Sequence, residues 1–427
     1  MTRSPLLTVA ALIGLWPAAV SASDWPQLLG PNRDGVAVGE EPLTRLPTEA
    51  AALWTARVGD GFAGPAVVDG IVYLAHRPGE TLRIEARDAE TGRRLWTADT
   101  PATYGRPGFI SDRGPRATPV VVPAEVLKEP HGRVLALGAG GLLRCVSAVE
   151  GKEHWTKDVA RDYGGDLGYF GLGSTPLVVP DGDGGAVVIV VPGGFRENAG
   201  IVGLDLKTGA ERWTTARAKP CYGSPILTEI AGEPVVVVPT RVTLYGLNPL
   251  TGEVRWEVPF GAQGPTAIGA NPVVLPSRST DETRPIFLSS NYSTGDVLLN
   301  AGLQDADVRY NGDFLLASHY ATPIGFGSPY LYGLNGQENR GPASFVCINP
   351  VSKRTLWKKS GVGYGSLIGV PGEEPGTGSV LKLGLDGELI LFDADPAKYR
   401  ELGRLRLFPP AARGGETRAA PAYSNGV

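Results

Sequence analysis

One short pattern recurs along the chain and restricts its fold more than any other feature. Each copy has an Asx or Ser residue eight positions before a tryptophan, and most copies have Thr or Ser five before it and Gly four before it. The copies end at Trp96, Trp155, Trp213, Trp256 and Trp357. An Asx or Ser side chain can hydrogen-bond the backbone two residues on and so begin a turn, and glycine supplies the positive φ of a bulged hairpin. Each copy therefore predicts a β-hairpin whose second strand ends in a tryptophan that docks one sheet against its neighbour.

A second marker, a residue that opens a short apolar run, keeps step with the first. Proline is tolerated at the start of a strand, because its missing N–H costs no ladder bond there. The markers are Pro65, Pro119, Pro176, Pro225, Pro272, Pro323 and Pro421, with Leu367 in the place of proline in one unit. They lie on average about 51 residues apart, a period typical of propeller blades. Further short β runs follow within the units, such as 71–75, 134–137, 186–191, 235–238 and 389–392.

These two markers together predict an all-β fold, an eight-bladed β-propeller of four-stranded antiparallel blades. Residues 53–427 would form the propeller, and residues 23–52 would form an N-terminal segment. Two stacked β-sandwiches are the alternative, but they would not explain why the turn and the tryptophan recur at the same spacing in every unit. The 59 glycines and 37 prolines among 427 residues are too many for a helical bundle and too irregularly placed for collagen.

The order of the markers also predicts how the ring closes. Trp54 precedes the first marker, so residues 53–56 should be the last strand of a blade that begins at the other end of the chain. That strand should pair with the unit beginning at Ala420, where the last blade is incomplete. Either the ring is open, or further residues complete it, about 20–30 of them as judged from the length of the repeat. We favour the second, because an open propeller leaves strand edges unpaired.

Charge and the N-terminal residues indicate the compartment. The formal net charge of −4 gives no reason to expect nucleic-acid binding. Arg3, the apolar run 6–16 and the small residues 20–22 predict a secretory signal peptide, residues 1–22. The apolar run is shorter than the roughly 20 residues of a membrane span, and no cysteine follows the cleavage site for lipid attachment. We expect a periplasmic or secreted protein that has no membrane span.

The chain has three cysteines, Cys145, Cys221 and Cys347, spread over about 200 residues. A secreted scaffold held by disulfides would have many more. We expect small buried residues within strands, and one bridge with one thiol left over is the alternative.

The repeated motif Ala/Leu-x-Asp-x-x-Thr-Gly-x-x-x-Trp resembles the pyrroloquinoline-quinone (PQQ)-like repeat. That family includes PQQ-dependent alcohol and glucose dehydrogenases and the BamB-type lipoprotein, which helps assemble outer-membrane β-barrels. The likeness covers residues 54–427, and residues 24–35 also resemble the start of many secreted members. The resemblance implies the fold but not the activity, because a docking tryptophan is an architectural device.

The resemblance implies that catalytic members hold the quinone with an adjacent-cysteine disulfide, a stacking tryptophan, a Ca²⁺ bound by Glu, Asn and Asp, and a catalytic Asp. Here no two cysteines are neighbours, every tryptophan of the repeat region is used for docking, and no Cys-x-x-Cys-His is present. The histidines lie in different units without ligand-like spacing; they are His76, His131, His154 and His319. Residues 181–185 lack the downstream acid of an EF-hand loop. We therefore expect no cofactor, no metal and no catalytic residue.

Residues just before the inner strands should cluster around one mouth of the central channel. Three positions before the marker, or in the equivalent place, stand Phe62, Arg116, Gly173, Tyr222, Gly269, Tyr320 and Tyr364. The candidates for binding a polar ligand, glycan or peptide are Arg116, Tyr222, Tyr320, Tyr364 and His319. The alternative is that these tyrosines only pack against one another.

The sequence thus favours a non-catalytic extracytoplasmic binding or scaffold propeller, which presents its channel mouth and loops to an envelope protein or polymer. The alternatives are a quinoprotein resembling PQQ-dependent alcohol or sugar dehydrogenases and a glycan-binding module. A BamB-like role implies contact with a β-barrel assembly partner. The missing lipidation cysteine argues against this role.

Overall fold

The computed structural model describes residues 24–49, 51–102, 104–105, 112–194, 198–264, 268–278, 280–338, 342–408 and 416–427. The predicted signal peptide, residues 1–22, lies outside the described residues. Seven antiparallel sheets follow one another along the described chain. Within each sheet the strands pair in chain order, so each sheet is a meander.

The first sheet contains β1 (Ala66–Val68), β2 (Ile71–His76), β3 (Thr81–Asp88) and β4 (Arg94–Pro101). The second contains β5 (Val120–Val122), β6 (Arg133–Leu137), β7 (Leu142–Ser147) and β8 (Glu153–Asp158). The third contains β9 (Leu177–Pro180), β10 (Ala186–Val190), β11 (Ile201–Asp205) and β12 (Glu211–Thr215). The fourth contains β13 (Ile226–Ile230), β14 (Glu233–Pro239), β15 (Thr243–Leu247) and β16 (Val254–Pro259).

The fifth sheet contains β17 (Val273–Val274), β18 (Arg284–Ser290), β19 (Gly295–Ala301) and β20 (Ala306–Asp313). The sixth contains β21 (Leu331–Asn335), β22 (Ser344–Asn349) and β23 (Arg354–Ser360), and an isolated bridge from Ile324 to Tyr332 stands where its innermost strand would run. The seventh contains β24 (Gly365–Pro371), β25 (Gly378–Gly384), β26 (Glu388–Asp393) and β27 (Glu401–Arg406). The helices of the described residues, α1 (Ala124–Leu127) and α2 (Val159–Tyr163), are single turns.

The predicted all-β propeller is confirmed by the way the sheets pack. Each successive pair of sheets shares one hydrophobic cluster, from the first and second sheets round to the sixth and seventh. A further cluster joins the seventh sheet to the N-terminal segment, to Val67 of the first sheet and to Tyr423. Because both faces of each blade are covered, strands such as β6 and β10 are buried along their whole length.

The turn-and-tryptophan motif works as a latch between neighbouring blades. In the first sheet Asp88 Oδ1 accepts a hydrogen bond from the Thr91 N–H at 2.8 Å, three residues on rather than the predicted two, and the ladder is bulged between Ala86 and Arg87. Trp96 then covers the turn of the second sheet, where its indole N–H donates to the Ala148 carbonyl at 3.0 Å. A Cβ on Gly151 of that turn would lie 2.4 Å from the Trp96 ring. Glycine there therefore provides space for the ring as well as its φ of +68°.

The other predicted docking tryptophans occupy equivalent places. Trp155 donates to the Leu206 carbonyl at 2.8 Å, and Trp357 donates to the Asp395 carbonyl at 2.9 Å. The Trp213 ring lies against Gly252, and Trp256 packs in the cluster between the fourth and fifth sheets.

The fifth sheet has a tyrosine where the first four sheets and the sixth have a tryptophan, which the sequence pattern missed. The Tyr310 hydroxyl donates to the Pro350 carbonyl at 3.1 Å, as an indole N–H does elsewhere. Lys353 occupies the usual glycine position of the next turn with a φ of +54°, and its Nζ lies 4.8 Å from the centroid of the Tyr310 ring. The latch is therefore conserved in geometry, with a cation–π contact where glycine and indole meet in other blades.

The predicted closure is correct for Trp54 and wrong for the strand around it. Trp54 donates to the Ala89 carbonyl at 2.8 Å and covers Gly92, so it docks on the first sheet as the tryptophan of an eighth blade would. However, residues 53–56 form no strand, and neither do residues 416–427. The predicted pairing between these segments is not formed, because neither segment has a neighbouring strand to extend. Leu46 lies beside Gly403 of the seventh sheet, and Ala420 lies beside Gly64 before the first sheet.

Candidate binding site at the channel mouth

A belt of hydrogen bonds joins five inner strands around the channel. The Thr118 N–H donates to Thr175 Oγ1 at 3.2 Å, and the Thr175 N–H donates to Ser224 Oγ at 2.9 Å. The Ser224 N–H donates to Asn271 Oδ1, and the Asn271 N–H donates to Thr322 Oγ1, both at 2.9 Å. Each acceptor stands just before a strand-opening proline, a recurrence of small polar residues that was visible in the sequence and was not used. The belt fixes the position of the mouth residues relative to one another.

The N-terminal segment runs inside the channel, hydrogen-bonded to inner strands. Trp25 pairs with Val67 of β1 through two backbone bonds of 2.7 and 2.9 Å. The Pro26 carbonyl accepts from the Val121 N–H of β5 at 2.9 Å. Further along, the Ala37 N–H donates to the Gly369 carbonyl of β24 at 2.8 Å. The segment therefore bonds the first, second and seventh sheets across the axis, where a complete eighth blade would otherwise join them at the rim.

Arg33 pins the tip of this segment to the third and fourth sheets. Its Nη1 donates to the carbonyls of Thr175 at 3.2 Å and Pro225 at 3.0 Å, and its Nη2 donates to the Pro176 carbonyl. Its Nε donates to Gln27 Oε1 at 2.7 Å. Burial lowers the pKa of the Arg33 guanidinium to about 9, which leaves it charged at neutral pH. A guanidinium with several planar donors suits a set of converging carbonyls, which explains why arginine stands here.

Above this tip lies a cavity of about 300 Å³ that opens at the channel mouth. Leu28 and Leu29 of the N-terminal segment belong to its lining and come from the channel side, so we describe them as its floor. Its walls include the rings of Phe62, Phe170, Tyr222, Tyr292, His319 and Tyr320, with Arg116 and Arg418. Arg116, Tyr222, His319 and Tyr320, four of the five predicted candidates, thus line one cavity.

Tyr364, the fifth candidate, lies behind the wall and does not line this cavity. It is buried, and its hydroxyl accepts from the N–H groups of Tyr320 at 2.8 Å and Ala321 at 2.9 Å. The same oxygen lies 2.9 Å from Ser318 Oγ. Tyr364 therefore holds the backbone that carries the wall residues His319 and Tyr320. In a similar way Tyr222 accepts from the Phe170 N–H at 3.0 Å and fixes the position of that ring.

The charged groups of the mouth are paired with one another. Arg116 Nη1 donates to Asp112 Oδ1 at 2.7 Å. Arg418 donates to Glu416 at 2.6 Å and lies 3.4 Å from Glu338. Both guanidiniums lie against the ring of Phe62, 4.9 Å from its centroid for Arg116 and 5.6 Å for Arg418. The mouth therefore has no unpaired cation among these groups. Arg418 escaped the sequence analysis because it lies outside the repeat pattern.

Several neutral polar atoms of the wall are unpaired. His319 Nε2 lies 3.2 Å from the Tyr292 hydroxyl, and His319 Nδ1 has no hydrogen-bond partner. The Tyr320 hydroxyl and Asn271 Nδ2 also lack one. Burial, with a smaller contribution from the Arg418 charge, lowers the pKa of His319 to about 4, so its imidazole is neutral at neutral pH. These unpaired atoms are buried within the wall and do not face the cavity.

The residues present do not match the quinone site that the resemblance implies. Within the described ranges, no group of three or more His, Cys, Asp or Glu residues is placed to hold a metal ion. Glu338, the carboxylate in the cavity lining, is close to Arg418. The cysteines are free and buried, so the predicted buried thiols are confirmed and the alternative of one bridge is wrong. Cys145 and Cys347 lie within strands as predicted, whereas Cys221 lies in the connection before β13.

The fold and the site together define a class of protein: a β-propeller whose channel is filled by its own N-terminal segment and opens at one mouth into a cavity with aromatic walls. A family model described as outer membrane protein assembly factor BamB matches residues 82–393, and the chain belongs to this family of PQQ-like propellers. None of the helices in the described parts of the chain is long and apolar enough to cross a membrane.

Solved structures show the same fold at low sequence identity. BamB from Moraxella catarrhalis is 15% identical, with 81% of this chain and 85% of that chain covered and a TM-score of 0.51. Quinohemoprotein alcohol dehydrogenase from Comamonas testosteroni is 15% identical, with 95% and 75% covered and a TM-score of 0.56. A europium-containing methanol dehydrogenase is 13% identical, with 91% and 86% covered and a TM-score of 0.56. A comparison with curated proteins gives no match. At these identities the likenesses show the fold alone.

Proposed function

We propose that this protein is a non-catalytic extracytoplasmic binding propeller, and that the cavity at its channel mouth receives a protein or polymer partner. The observation that carries the proposal is the cavity itself, with an apolar floor, aromatic rings in its walls and a few polar lining residues such as Thr118, Thr322 and Ser366. Concave apolar surfaces with a few fixed polar groups are typical of binding sites.

The titratable groups of the cavity favour binding over catalysis. An efficient general base has a pKa near the working pH, whereas the pKa of His319 is lowered to about 4. The pKa of Tyr320 is raised well above its usual value by burial, so this phenol stays protonated. Arg116 and Arg418, which line the cavity, already bind carboxylates. These groups are suited to fixing the shape of the mouth rather than to transferring protons.

An extracytoplasmic site of action rests on the predicted signal peptide, residues 1–22, and on membership of a family named for outer-membrane assembly. The dehydrogenase alternative gains nothing from the cavity, because its residues lack the donor set for a metal-bound quinone. A partner in the cell envelope is therefore the first one to test.

The test is capture from a solubilised envelope extract by the immobilised protein and two variants. Ser366 lies at the start of β24 and lines the cavity, so Ser366→Trp places an indole in the space that a partner would occupy. Val351→Ser is the matched control, because Val351 is exposed in the connection between β22 and β23, away from the cavity. We expect the same partner with the wild type and Val351→Ser and none with Ser366→Trp. Equal capture by all three would contradict the proposal.

A further inference from the structure

Building on this proposed function, we propose that the partner is a protein, and that it inserts a tyrosine or tryptophan side chain into the cavity while its surface covers the surrounding face of the propeller. The inference rests on where the exposed aromatic residues lie and on the chemistry of the cavity.

The connections of a meander alternate between the two faces of the ring. The first strand of each blade begins at the channel mouth, so the connection from the second to the third strand and the connection that follows the fourth strand return to the same side. We call this side the mouth face. Connections from the first to the second strand and from the third to the fourth lie on the opposite face.

Every exposed phenylalanine and tyrosine of the described residues lies in a mouth-face connection. Tyr292 joins β18 to β19, and Tyr169, Phe314 and Phe408 follow the fourth strands β8, β20 and β27. Phe314 and Phe408 are 60% and 48% exposed, a large fraction for aromatic residues. Exposed apolar residues in third-to-fourth connections are valines, such as Val149 and Val351. Aromatic residues are enriched where one protein binds another, so the mouth face has the composition of a protein interface.

The cavity itself suits an uncharged ring that has one polar atom. Its floor is apolar, and the Phe170 and Tyr320 rings can meet an incoming ring edge to face. Ser366 also lines the cavity, and its hydroxyl can pair with a phenol O–H or an indole N–H. The arginines that line the cavity are bound by carboxylates, so among the described residues these side chains do not favour an ionic ligand. A tyrosine or tryptophan side chain combines the apolar body and the polar atom that this surface requires.

A neutral sugar fits less well. A sugar ring has a hydroxyl on most of its carbons, and each hydroxyl that is buried without a partner costs free energy. The unpaired polar atoms of Asn271, His319 and Tyr320 are themselves buried within the wall, so they do not face a sugar hydroxyl, and the floor of the cavity consists of leucine side chains. The aromatic side chain leaves fewer polar atoms unpaired on both sides of the contact.

The test titrates the purified protein with capped amino acids, observed by saturation-transfer NMR. The probes are N-acetyltyrosinamide and N-acetyltryptophanamide, and the comparison ligands are N-acetylleucinamide and methyl glucoside. We expect both aromatic probes to bind with a dissociation constant of about 1 mM, as for small ligands of this size. Ser366→Trp should weaken them at least about tenfold, and Phe170→Ala, which removes part of the wall, should weaken them as well. Val351→Ser should leave them unchanged, because Val351 lies on the opposite face and outside the cavity lining.

The outcomes separate this inference from the proposed function. If methyl glucoside binds and the aromatic probes do not, and Ser366→Trp abolishes that binding, the cavity is the binding site and the aromatic inference is wrong. Equal affinity for the leucine and aromatic probes would also overturn it. If no probe binds and envelope capture is unaffected by Ser366→Trp, both the inference and the proposed function fail.

Discussion

Replacing Arg33 tests whether the N-terminal segment holds the ring together at its axis. Arg33→Met keeps the length of the side chain and leaves the carbonyls of Thr175, Pro176 and Pro225 without their donor. Each buried carbonyl without a hydrogen bond costs about 1–3 kcal/mol, so three of them lower the free energy of unfolding by about 3–9 kcal/mol. Removing the buried charge of Arg33 offsets part of this loss. We expect a net destabilisation near the lower end, about 3 kcal/mol. For a chain of this size that lowers the unfolding temperature by about 3 °C.

Calorimetry measures the loss of stability, and hydrogen exchange shows where it arises. In Arg33→Met the amides of Trp25 and Ala37, which bond to inner strands, should exchange faster than in the wild type. Arg57→Met is the control, because Arg57 is exposed and lies outside the channel contacts; its effect should stay within about 0.5 kcal/mol. Wild-type stability and unchanged exchange of Trp25 and Ala37 in Arg33→Met would refute the role of the segment as a brace.

Three further changes test individual contacts. Gly151→Ala should lower the free energy of unfolding in urea by more than 2 kcal/mol, because the new Cβ meets the Trp96 ring at a φ of +68°. Gly182→Ala is the control: its φ is +88° but the space around it is open, so it should cost about 1 kcal/mol. Equal losses in the two variants would contradict the latch. Burial raises the pKa of Asp296 to about 7, above the unfolded value of 3.8, so the protein should lose stability as the pH rises from about 4 to 7. Asp296→Asn should remove this loss, measured as the free energy of unfolding in urea at several pH values. The same pH dependence in the variant and the wild type would contradict the prediction. The pKa of His319 is lowered from 6.5 to about 4, so the wild type should lose stability as the pH falls from 6.5 to 4. His319→Gln should lose less over the same range. Parallel profiles of unfolding free energy against pH would contradict the burial of a neutral imidazole.

The sequence predicted the features that repeat, because repetition makes a local rule visible. The turn at Asp88 and Gly92 and the docking of Trp96 follow from local chemistry that each unit restates. Tyr310 was missed because the pattern searched for tryptophan, whereas a phenol can donate a hydrogen bond to the equivalent carbonyl. The failed strand at residues 53–56 shows the limit of the rule, since a docking ring needs one neighbour and a strand needs a partner of its own.

The candidate site was only partly predictable, because much of it depends on long-range contacts. The marker register brought Arg116, Tyr222 and Tyr320 to one mouth. It gave no means to place Arg33, which meets carbonyls more than 140 residues away, or Arg418, which meets Phe62 through the ring closure. Tyr364 had the right register, but its hydroxyl is bound to backbone N–H groups behind the wall.

The central claim, that the mouth cavity above Leu28 and Leu29 is the binding site, is tested most directly by methyl NMR. Leucine-labelled protein is titrated with N-acetyltryptophanamide while the methyl resonances are followed. The account predicts that the Leu28 and Leu29 methyl signals shift with one shared dissociation constant, while those of Leu95, which is exposed on β4, stay in place. Saturable shifts elsewhere, with Leu28 and Leu29 unmoved, would contradict it.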